Sequence, residues 1–315
     1  MPPLAPPTAP RLLAPVDRVH LAFHGFVLAV AGVRMGALPH PIETVSWYGA
    51  AALATVALAW ALRRRTGLSA TVPRVLFAFV VSPVSYLLLG DVVPYAIPWR
   101  GERLLRAMDD ALFFGHNPNE LLDRIATPWL TEILQIDYAF YYAITILLFV
   151  ILLAQRRIQG AERATFLVML CLFASYTGYF FVPATGPNMN VLGLYPAHFP
   201  DSMPGVWAAE TIRQALFDAE AIKHDCWPSG HTALTVTCLL VARREGSRLA
   251  FWVLLVPVVL LVFATMYLRY HYVVDVLFGF LLAWATLRFG PRLYALWRRP
   301  DHDAPAAPEP APTAP

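Results

Sequence analysis

The sequence has few charged residues and almost no lysine. Only 14% of its 315 residues are charged, whereas about 25% is usual in soluble domains. Hydrophobic residues make up 58% of the chain, and so few charges could not cover that much apolar surface in a soluble protein. This balance excludes a secreted soluble enzyme, a disordered scaffold and a nucleic-acid-binding module. It indicates a polytopic membrane protein.

Cysteine is also scarce. The three cysteines, Cys171, Cys226 and Cys238, are too few and too scattered for a disulfide framework or a thiolate metal site. Cys171 and Cys238 fall inside apolar runs, where cysteine packs as a small hydrophobic residue. We therefore expect no metal centre.

The two ends of the chain are rich in proline and alanine. The first fifteen residues lack the basic start and apolar core of a cleavable signal peptide. We predict that residues 1–18 and 301–315 are disordered. Between them we expect N-terminal transmembrane helices in 19–98 and a catalytic membrane domain in 99–300.

Apolar runs predict the transmembrane helices, since a crossing helix needs roughly 17–25 residues. The clear runs are Val45–Leu62, Val75–Gly90, Tyr138–Ala154, Ala164–Pro183 and Leu249–Leu268. Weaker runs, which are short or carry polar residues, are Leu21–Val33, Ser229–Ala242 and Val273–Leu287. Together they predict an all-α bundle of about eight transmembrane helices.

Arginine predicts the orientation, because basic residues concentrate in cytoplasmic loops. With a cytoplasmic N-terminus, the inside segments hold sixteen arginines and the longer outside segments hold the other eight basic residues. We therefore expect both termini in the cytoplasm. The arginine-rich, lysine-poor composition is typical of a GC-rich genome, so we expect a bacterial plasma membrane.

Two outside segments are too long to be simple turns. Residues 100–137 carry charged and apolar residues at helical spacing, which predicts interfacial helices along the membrane surface. Residues 184–227 form a loop in which we expect one short helix at about Ala208–Phe217. Connecting loops of this length are often functional.

Ionisable residues at span ends are the first candidates for chemistry, because they are costly in a membrane. Ser229, Gly230 and His231 open the sixth predicted span, and His271 and Asp275 lie where the seventh meets the eighth. Residues 231 and 271 are forty apart, which fits two crossings and a short basic loop. Both histidines should therefore lie at the extracytoplasmic face.

His271 and Asp275 are four residues apart, so on a helix the carboxylate reaches the imidazole. A carboxylate on one ring nitrogen leaves the other nitrogen as a nucleophile or base. The N–H groups that begin a helix at Ser229 and Gly230 suit a phosphate, and the nearby Arg269 offers a guanidinium fork. The arrangement indicates a phosphoryl-transfer site that requires no metal.

At Ser229-Gly230-His231, followed by His271-x-x-x-Asp275, the chain resembles the type-2 phosphatidic acid phosphatase superfamily over roughly residues 109–290. The resemblance implies a six-helix catalytic core without a cofactor. It also implies that His271 is the nucleophile that becomes phosphorylated, that Asp275 orients it, and that His231 is the general acid.

The chain departs from the phosphatase branch of that superfamily. It lacks the Lys-x6-Arg-Pro motif, and Thr265 stands where that branch has an arginine six residues before the nucleophile. Asp109, Asp110 and the Gly186-Pro187 loop are more similar to the inositol phosphorylceramide synthase and sphingomyelin synthase branch, which transfers a phospho-headgroup between lipids. Hydrolysis and transfer both stay open.

The expected substrate is a membrane lipid phosphate or phosphodiester, and the acceptor is water or a second alcohol. Ser229, Gly230 and a basic side chain should hold the phosphate. Lys223, Arg269 and Arg213 are the candidates for that side chain. The sequence indicates no nucleic-acid partner and does not indicate an oligomeric state.

A transporter or lipid-binding protein with a His/Asp proton relay is the alternative. Transporters commonly have repeated halves and charges at mid-membrane depth, and the sequence shows neither. A structural membrane subunit is a third possibility, in which the motifs arise by chance. Histidines without a partner at a meaningful spacing, including His20 and His24, should be structural.

Tyrosines cluster near the predicted span ends. Tyr141, Tyr142, Tyr176 and Tyr179 should lie in an interfacial belt or in the core.

Overall fold

A computed structural model describes residues 12–194, 203–219 and 222–298. The predicted disordered tail, 301–315, and most of the predicted N-terminal segment lie outside the described residues. Within those ranges every regular element is a helix. This confirms the predicted all-α class.

Thirteen α-helices follow one another along the described chain. They are α1 Pro15–Val33, α2 Pro41–Ala61, α3 Leu68–Leu89, α4 Val93–Ala96, α5 Glu102–Leu112, α6 Pro118–Leu122, α7 Pro128–Ala139, α8 Tyr141–Ala154, α9 Ile158–Gly178, α10 Ala209–Ala219, α11 Gly230–Arg244, α12 Arg248–Tyr267 and α13 Val273–Trp297. The position of α10 confirms the short helix expected in the second long loop.

Six of these helices, α1, α2, α3, α9, α12 and α13, are long and apolar enough to cross a membrane. Helices α7 and α8 pass the same test together, with a bend of 52° at the break between them. Helix α11 corresponds to the remaining predicted span and has 15 residues, fewer than a full crossing needs. Each of the eight predicted runs is thus helical, although not all are full-length spans.

Helix α1 begins at Pro15, inside the segment predicted to be disordered and ahead of the predicted apolar run. The Asp17 carboxylate accepts the Ala14 N–H at 2.8 Å and pairs with Arg74 at 3.0 Å. Both charged side chains are buried, and a buried charge needs such a partner. The helix therefore extends through polar residues that an apolar run does not include.

Helix α11 lies at the centre of the bundle and contacts α8, α9, α12 and α13. Helix α9 also contacts α1 and α3, which attaches the N-terminal helices to the rest. Glycines allow the loop before α11 to approach closely: a Cβ on Gly178 would lie 2.3 Å from Pro228 Cδ, and one on Gly279 would lie 2.8 Å from the Ser229 carbonyl oxygen. That loop is therefore held between α9 and α13.

Two carboxylates attach outer helices to the bundle. Asp109 of α5 accepts the N–H groups of Val273 and Val274 at 2.9 and 2.8 Å, at the start of α13. Glu132 of α7 accepts the N–H groups of the four residues 206–209, where α10 begins. Both carboxylates accept N–H groups in or just before the first turn of another helix, where those N–H groups have no partner within that helix.

Candidate active site

The start of α11, the end of α12 and the start of α13 meet at one end of the bundle. The short connection between α12 and α13 carries His271. The His271 N–H donates to the Thr265 carbonyl at 2.9 Å, and the Asn119 side chain donates to the His271 carbonyl at 3.2 Å. These bonds fix His271 opposite His231, in the first turn of α11.

The two histidines and the aspartate predicted from the sequence form one chain of contacts. His231 Nδ1 lies 3.2 Å from His271 Nε2. His271 Nδ1 lies 3.2 Å from Asp275 Oδ2, one helical turn farther along the chain. With its proton on Nδ1, donated to the carboxylate, His271 presents a lone pair on Nε2. The structure thus brings all three predicted catalytic residues together.

Because His271 and Asp275 are both buried, the charge of Asp275 acts strongly on the His271 ring. His271 is 2% exposed and Asp275 is 0% exposed. Burial by itself would lower the pKa of His271, but the charge and hydrogen bond of Asp275 raise that pKa above the usual value. The carboxylate therefore stabilises positive charge on this ring, as develops when Nε2 attacks an electrophile.

A thiol that the sequence did not assign to the site contacts the same carboxylate. Cys226 Sγ donates to Asp275 Oδ2 at 2.7 Å, and the Cys226 carbonyl lies 3.2 Å from His271 Nδ1. Burial and the adjacent Asp275 raise the pKa of the Cys226 thiol well above its usual value. The thiol is therefore a hydrogen-bond donor to Asp275.

Aromatic rings surround His231. The Tyr138 ring stacks on His231 with centroids 4.7 Å apart, and its hydroxyl lies 3.4 Å from His231 Nδ1. The Tyr141 centroid lies 4.3 Å from that of His231. Tyr138 lies near the end of α7, so the bend between α7 and α8 places both rings beside the histidine. No spacing in the sequence pointed to Tyr138.

A family model described as the PAP2 superfamily matches residues 103–289, more than half of the 315 residues. The chain belongs to the PAP2 superfamily. The matched region runs from α5 into α13 and contains the whole His–His–Asp chain, whereas α1, α2 and α3 precede it. No curated protein and no solved structure matches the chain.

The predicted phosphate-binding turn of this PAP2 protein is tightly packed. The Ser229 N–H donates to the Asp275 carbonyl at 3.1 Å, and the Ser229 hydroxyl caps α11 by accepting the Thr232 N–H at 3.3 Å. A Cβ on Gly230 would lie 2.9 Å from Ser175 Oγ. Glycine is needed there for packing against α9, and the Ser229 amide is already used within the protein.

The two basic residues placed first by sequence are engaged elsewhere. Arg269 is buried and pairs with Asp123. The Lys223 ammonium donates to the Phe217 carbonyl and lies 3.9 Å from the centroid of the Phe217 ring. Neither side chain lines the cavity that reaches His231, so phosphate binding by either stays a prediction.

A cavity of about 580 Å³ leads to His231. Its lining comes from α3, α7, α8, α9, α10 and α11 and is largely apolar and aromatic. The tyrosines in that lining are Tyr86, Tyr138, Tyr141, Tyr142, Tyr176, Tyr179 and Tyr270. The four tyrosines expected in a belt or core thus face one cavity next to the histidines.

One lysine or arginine lines this cavity among the described residues, and it is Arg213 of α10. Its guanidinium pairs with Glu210 at 2.6 Å and donates to the Met203 carbonyl at 2.7 Å. Asp225 lines the same cavity and accepts a hydrogen bond of 2.5 Å from the Tyr86 hydroxyl of α3. Helix α3 therefore lines the cavity that leads to His231, although it precedes the matched region.

Proposed function

We propose that this protein is a membrane phosphoryl-transfer enzyme that acts on a lipid phosphate or phosphodiester through a phosphohistidine at His271. The single observation that carries the proposal is the contact chain from His231 to His271 and Asp275, both links 3.2 Å long, at the end of an apolar cavity. Membership of the PAP2 superfamily supports the reaction class.

In the first half of the reaction, His271 Nε2 attacks phosphorus and the bond from phosphorus to the lipid alcohol breaks. His231 gives its proton to the departing oxygen, as a general acid. Asp275 keeps the His271 proton on Nδ1 and stabilises the positive ring. In the second half, water or a second alcohol loses a proton to His231 and attacks phosphorus, and the bond from phosphorus to Nε2 breaks.

The substrate phosphate has to enter between the two histidines. His271 is nearly inaccessible, whereas His231 is half-buried and lines the cavity. We infer that the phosphate takes the place of the contact between His231 and His271, with the His231 ring turning toward the cavity. The 3.2 Å contact then becomes two contacts to the phosphoryl group.

Arg213 is the side chain that we propose as the phosphate anchor. Of the three basic candidates, it lines the cavity, while Lys223 and Arg269 do not. The Arg213 guanidinium now bonds to Glu210 and to the Met203 carbonyl. A phosphate in the cavity would bind the same guanidinium more strongly, through two parallel hydrogen bonds. The first-turn N–H groups of α11 at Gly230 add a second anion-binding element.

A lipid fits the cavity better than a soluble phosphate does. The lining is mostly apolar, and Leu87 of α3 and Tyr142 and Ile146 of α8 belong both to it and to the exposed surface of the bundle. An acyl chain could therefore enter between α3 and α8 from the membrane. This chain lacks the basic motifs of the phosphatase branch, which favours transfer of the phospho-headgroup to a second alcohol. If water is the acceptor instead, the enzyme is a phosphatase.

We place the site at the extracytoplasmic face of a bacterial plasma membrane. Arg243 and Arg244 end α11, and Arg248 begins α12, at the opposite end of these helices from His231 and His271. Basic residues mark the cytoplasmic side. Both termini are then cytoplasmic.

The test is phosphate release from a panel of short-chain lipid phosphates by detergent-purified protein, with a chelator present. The wild type should release phosphate and His271→Ala should not, while His20→Ala, which changes a buried histidine outside the site, should retain activity. If the wild type releases none, a phosphodiester donor and an alcohol acceptor are added. Equal turnover by wild type and His271→Ala, or no turnover with either donor, would contradict the proposal.

The same variants separate the enzyme from a proton-relay transporter. Such a transporter would lose flux in His271→Ala and would release no phosphate in any variant.

A further inference from the structure

Three donor atoms of different chemistry meet at the base of the active site. Cys226 Sγ lies 2.7 Å from Asp275 Oδ2 and 3.6 Å from His271 Nδ1, and the last two atoms are 3.2 Å apart. All three residues are buried. Thiolate, imidazole and carboxylate are the ligands that zinc takes, at about 2.0–2.3 Å.

A second feature of the cluster indicates a cation. Asp275 Oδ1 is buried and accepts no hydrogen bond from any residue that the structure describes. A buried carboxylate oxygen without a donor is costly. A metal ion beside Oδ2 would offset that cost by neutralising the carboxylate.

The charges of the cluster also match a divalent ion. A Cys226 thiolate and the Asp275 carboxylate carry two negative charges, which balance one Zn²⁺ and leave no net charge in the buried site. The Cys226 carbonyl, 3.2 Å from His271 Nδ1, is the nearest further oxygen donor. Mg²⁺ prefers a shell of oxygen ligands, so a thiol in the set favours zinc.

We propose that Zn²⁺ binds Cys226, His271 and Asp275 and thereby blocks phosphoryl transfer. The blocking step rests on the proposed function of His271, whereas the binding itself does not.

Binding changes the protonation of the cluster in a defined way. One Zn²⁺ enters and the Cys226 thiol releases one proton, while Asp275 is already ionised. His271 gives the Nδ1 lone pair to the metal, so its ring proton lies on Nε2. Nε2 then donates to His231 Nδ1, 3.2 Å away, and has no lone pair with which to attack phosphorus.

Binding is tested with Co²⁺, which replaces Zn²⁺ and gives a near-ultraviolet charge-transfer band when a thiolate binds it. The wild-type protein in detergent should bind one Co²⁺ per chain with this band, and Zn²⁺ should displace it. Cys226→Ser keeps a hydroxyl donor for Asp275 but should lose the band and bind at least about tenfold more weakly. Cys171→Ser is the matched control, because that buried cysteine lies away from the cluster, next to Thr237.

Wild type without a thiolate band at stoichiometric Co²⁺, or an unchanged band in Cys226→Ser, would overturn the site. Each variant must elute from size exclusion as a single folded species for this comparison to be valid. If Cys226→Ser misfolds, Cys226→Ala replaces it in the same measurement.

Inhibition is measured separately, with buffered Zn²⁺ and relative to each variant's own metal-free rate. Zn²⁺ should inhibit wild type and Cys171→Ser, a chelator should restore the rate, and Cys226→Ser should be at least about tenfold less sensitive. Full turnover by wild type at saturating Zn²⁺ would overturn the blocking step. A protein without turnover in any metal-free assay would instead contradict the proposed function, and the Co²⁺ result would stand.

Discussion

His20 and His24 of α1 form one close pair of histidines, and His231 at the start of α11 and His271 just before α13 form another. His20, His24 and His271 are buried, and His231 is half-buried. The rings of His20 and His24 are 5.9 Å apart, and those of His231 and His271 are 5.4 Å apart. Neither ring nitrogen of His20 has a hydrogen-bond partner among the described residues, and His24 Nε2 lies 3.2 Å from the Ser85 hydroxyl.

The pairs differ in what surrounds them. Phe77 and Phe173 pack against His20, with ring centroids at 5.4 and 5.0 Å. His271 instead has Asp275 on one nitrogen and His231 on the other, and His231 opens onto a cavity. Close pairing is thus shared, whereas the carboxylate and the cavity distinguish the pair that we propose to be catalytic.

Asp275→Asn would remove the carboxylate and make the pair of His231 and His271 resemble the N-terminal pair. We expect turnover to fall roughly 10³-fold, because the amide no longer fixes the Nδ1–H tautomer. The acid limb of the kcat/KM profile should also move to lower pH. Attack on phosphorus needs unprotonated His271, and in the wild type Asp275 holds the His271 pKa above its usual value. Without that carboxylate, burial dominates and lowers the His271 pKa.

Asp225→Asn is the control for that shift. Asp225 raises the His271 pKa through its charge alone, so its loss should move the acid limb less than Asp275→Asn does. A limb that stays in place in Asp275→Asn would mean that another group limits the rate at low pH.

His231→Ala would leave His271 and Asp275 without the general acid that we propose. The rate should fall about 10²–10³-fold for a lipid alcohol leaving group. With a nitrophenyl phosphate, whose leaving group needs no proton, the first step should fall much less, and the burst of nitrophenol in the first turnover measures it. An equal loss of the first step with both substrates would show that His231 acts on binding or folding rather than on proton transfer.

Arg213→Gln tests the contribution of the cavity. Loss of a charge-assisted pair with phosphate, about 1.5–3 kcal/mol, should raise KM about tenfold to a hundredfold with a smaller change in kcat. Arg213→Lys should restore part of the affinity. An unchanged KM would return the anchoring role to Lys223 or Arg269.

His20→Phe should have the smallest effect on activity, and it should stabilise the protein. Replacing a buried ring that has two unsatisfied nitrogens with an apolar ring should stabilise the protein by about 1 kcal/mol. Thermal unfolding in detergent should therefore shift upward while turnover stays within about twofold of wild type. A drop in turnover would assign the N-terminal pair a role that its packing does not indicate.

Part of the site could be predicted from the sequence because part of it is local. The four-residue spacing placed Asp275 against His271, and the count of crossings placed His231 at the same end of the bundle. Each of the eight apolar runs coincides with a helix, six of them long enough to cross a membrane alone. The runs did not locate the start of α1, because an ion pair from Asp17 to Arg74 extends that helix.

The rest depends on contacts between distant parts of the chain. Cys226 meets Asp275 because the loop before α11 packs between α9 and α13. Tyr138 reaches His231 through a bend, and Arg213 enters the cavity on a helix held by the Glu132 carboxylate. The spacing of residues along the sequence does not predict these contacts.

The most direct test of the account is rapid-quench detection of a phosphorylated enzyme with a labelled phosphate ester whose leaving group needs no proton. In His231→Ala the first step should proceed, and the second, which needs a base, should slow. We therefore expect an acid-labile, base-stable phosphoenzyme that maps to His271 and is absent from His271→Ala. Label that persists in His271→Ala, or turnover without any labelled protein in every variant, would contradict it.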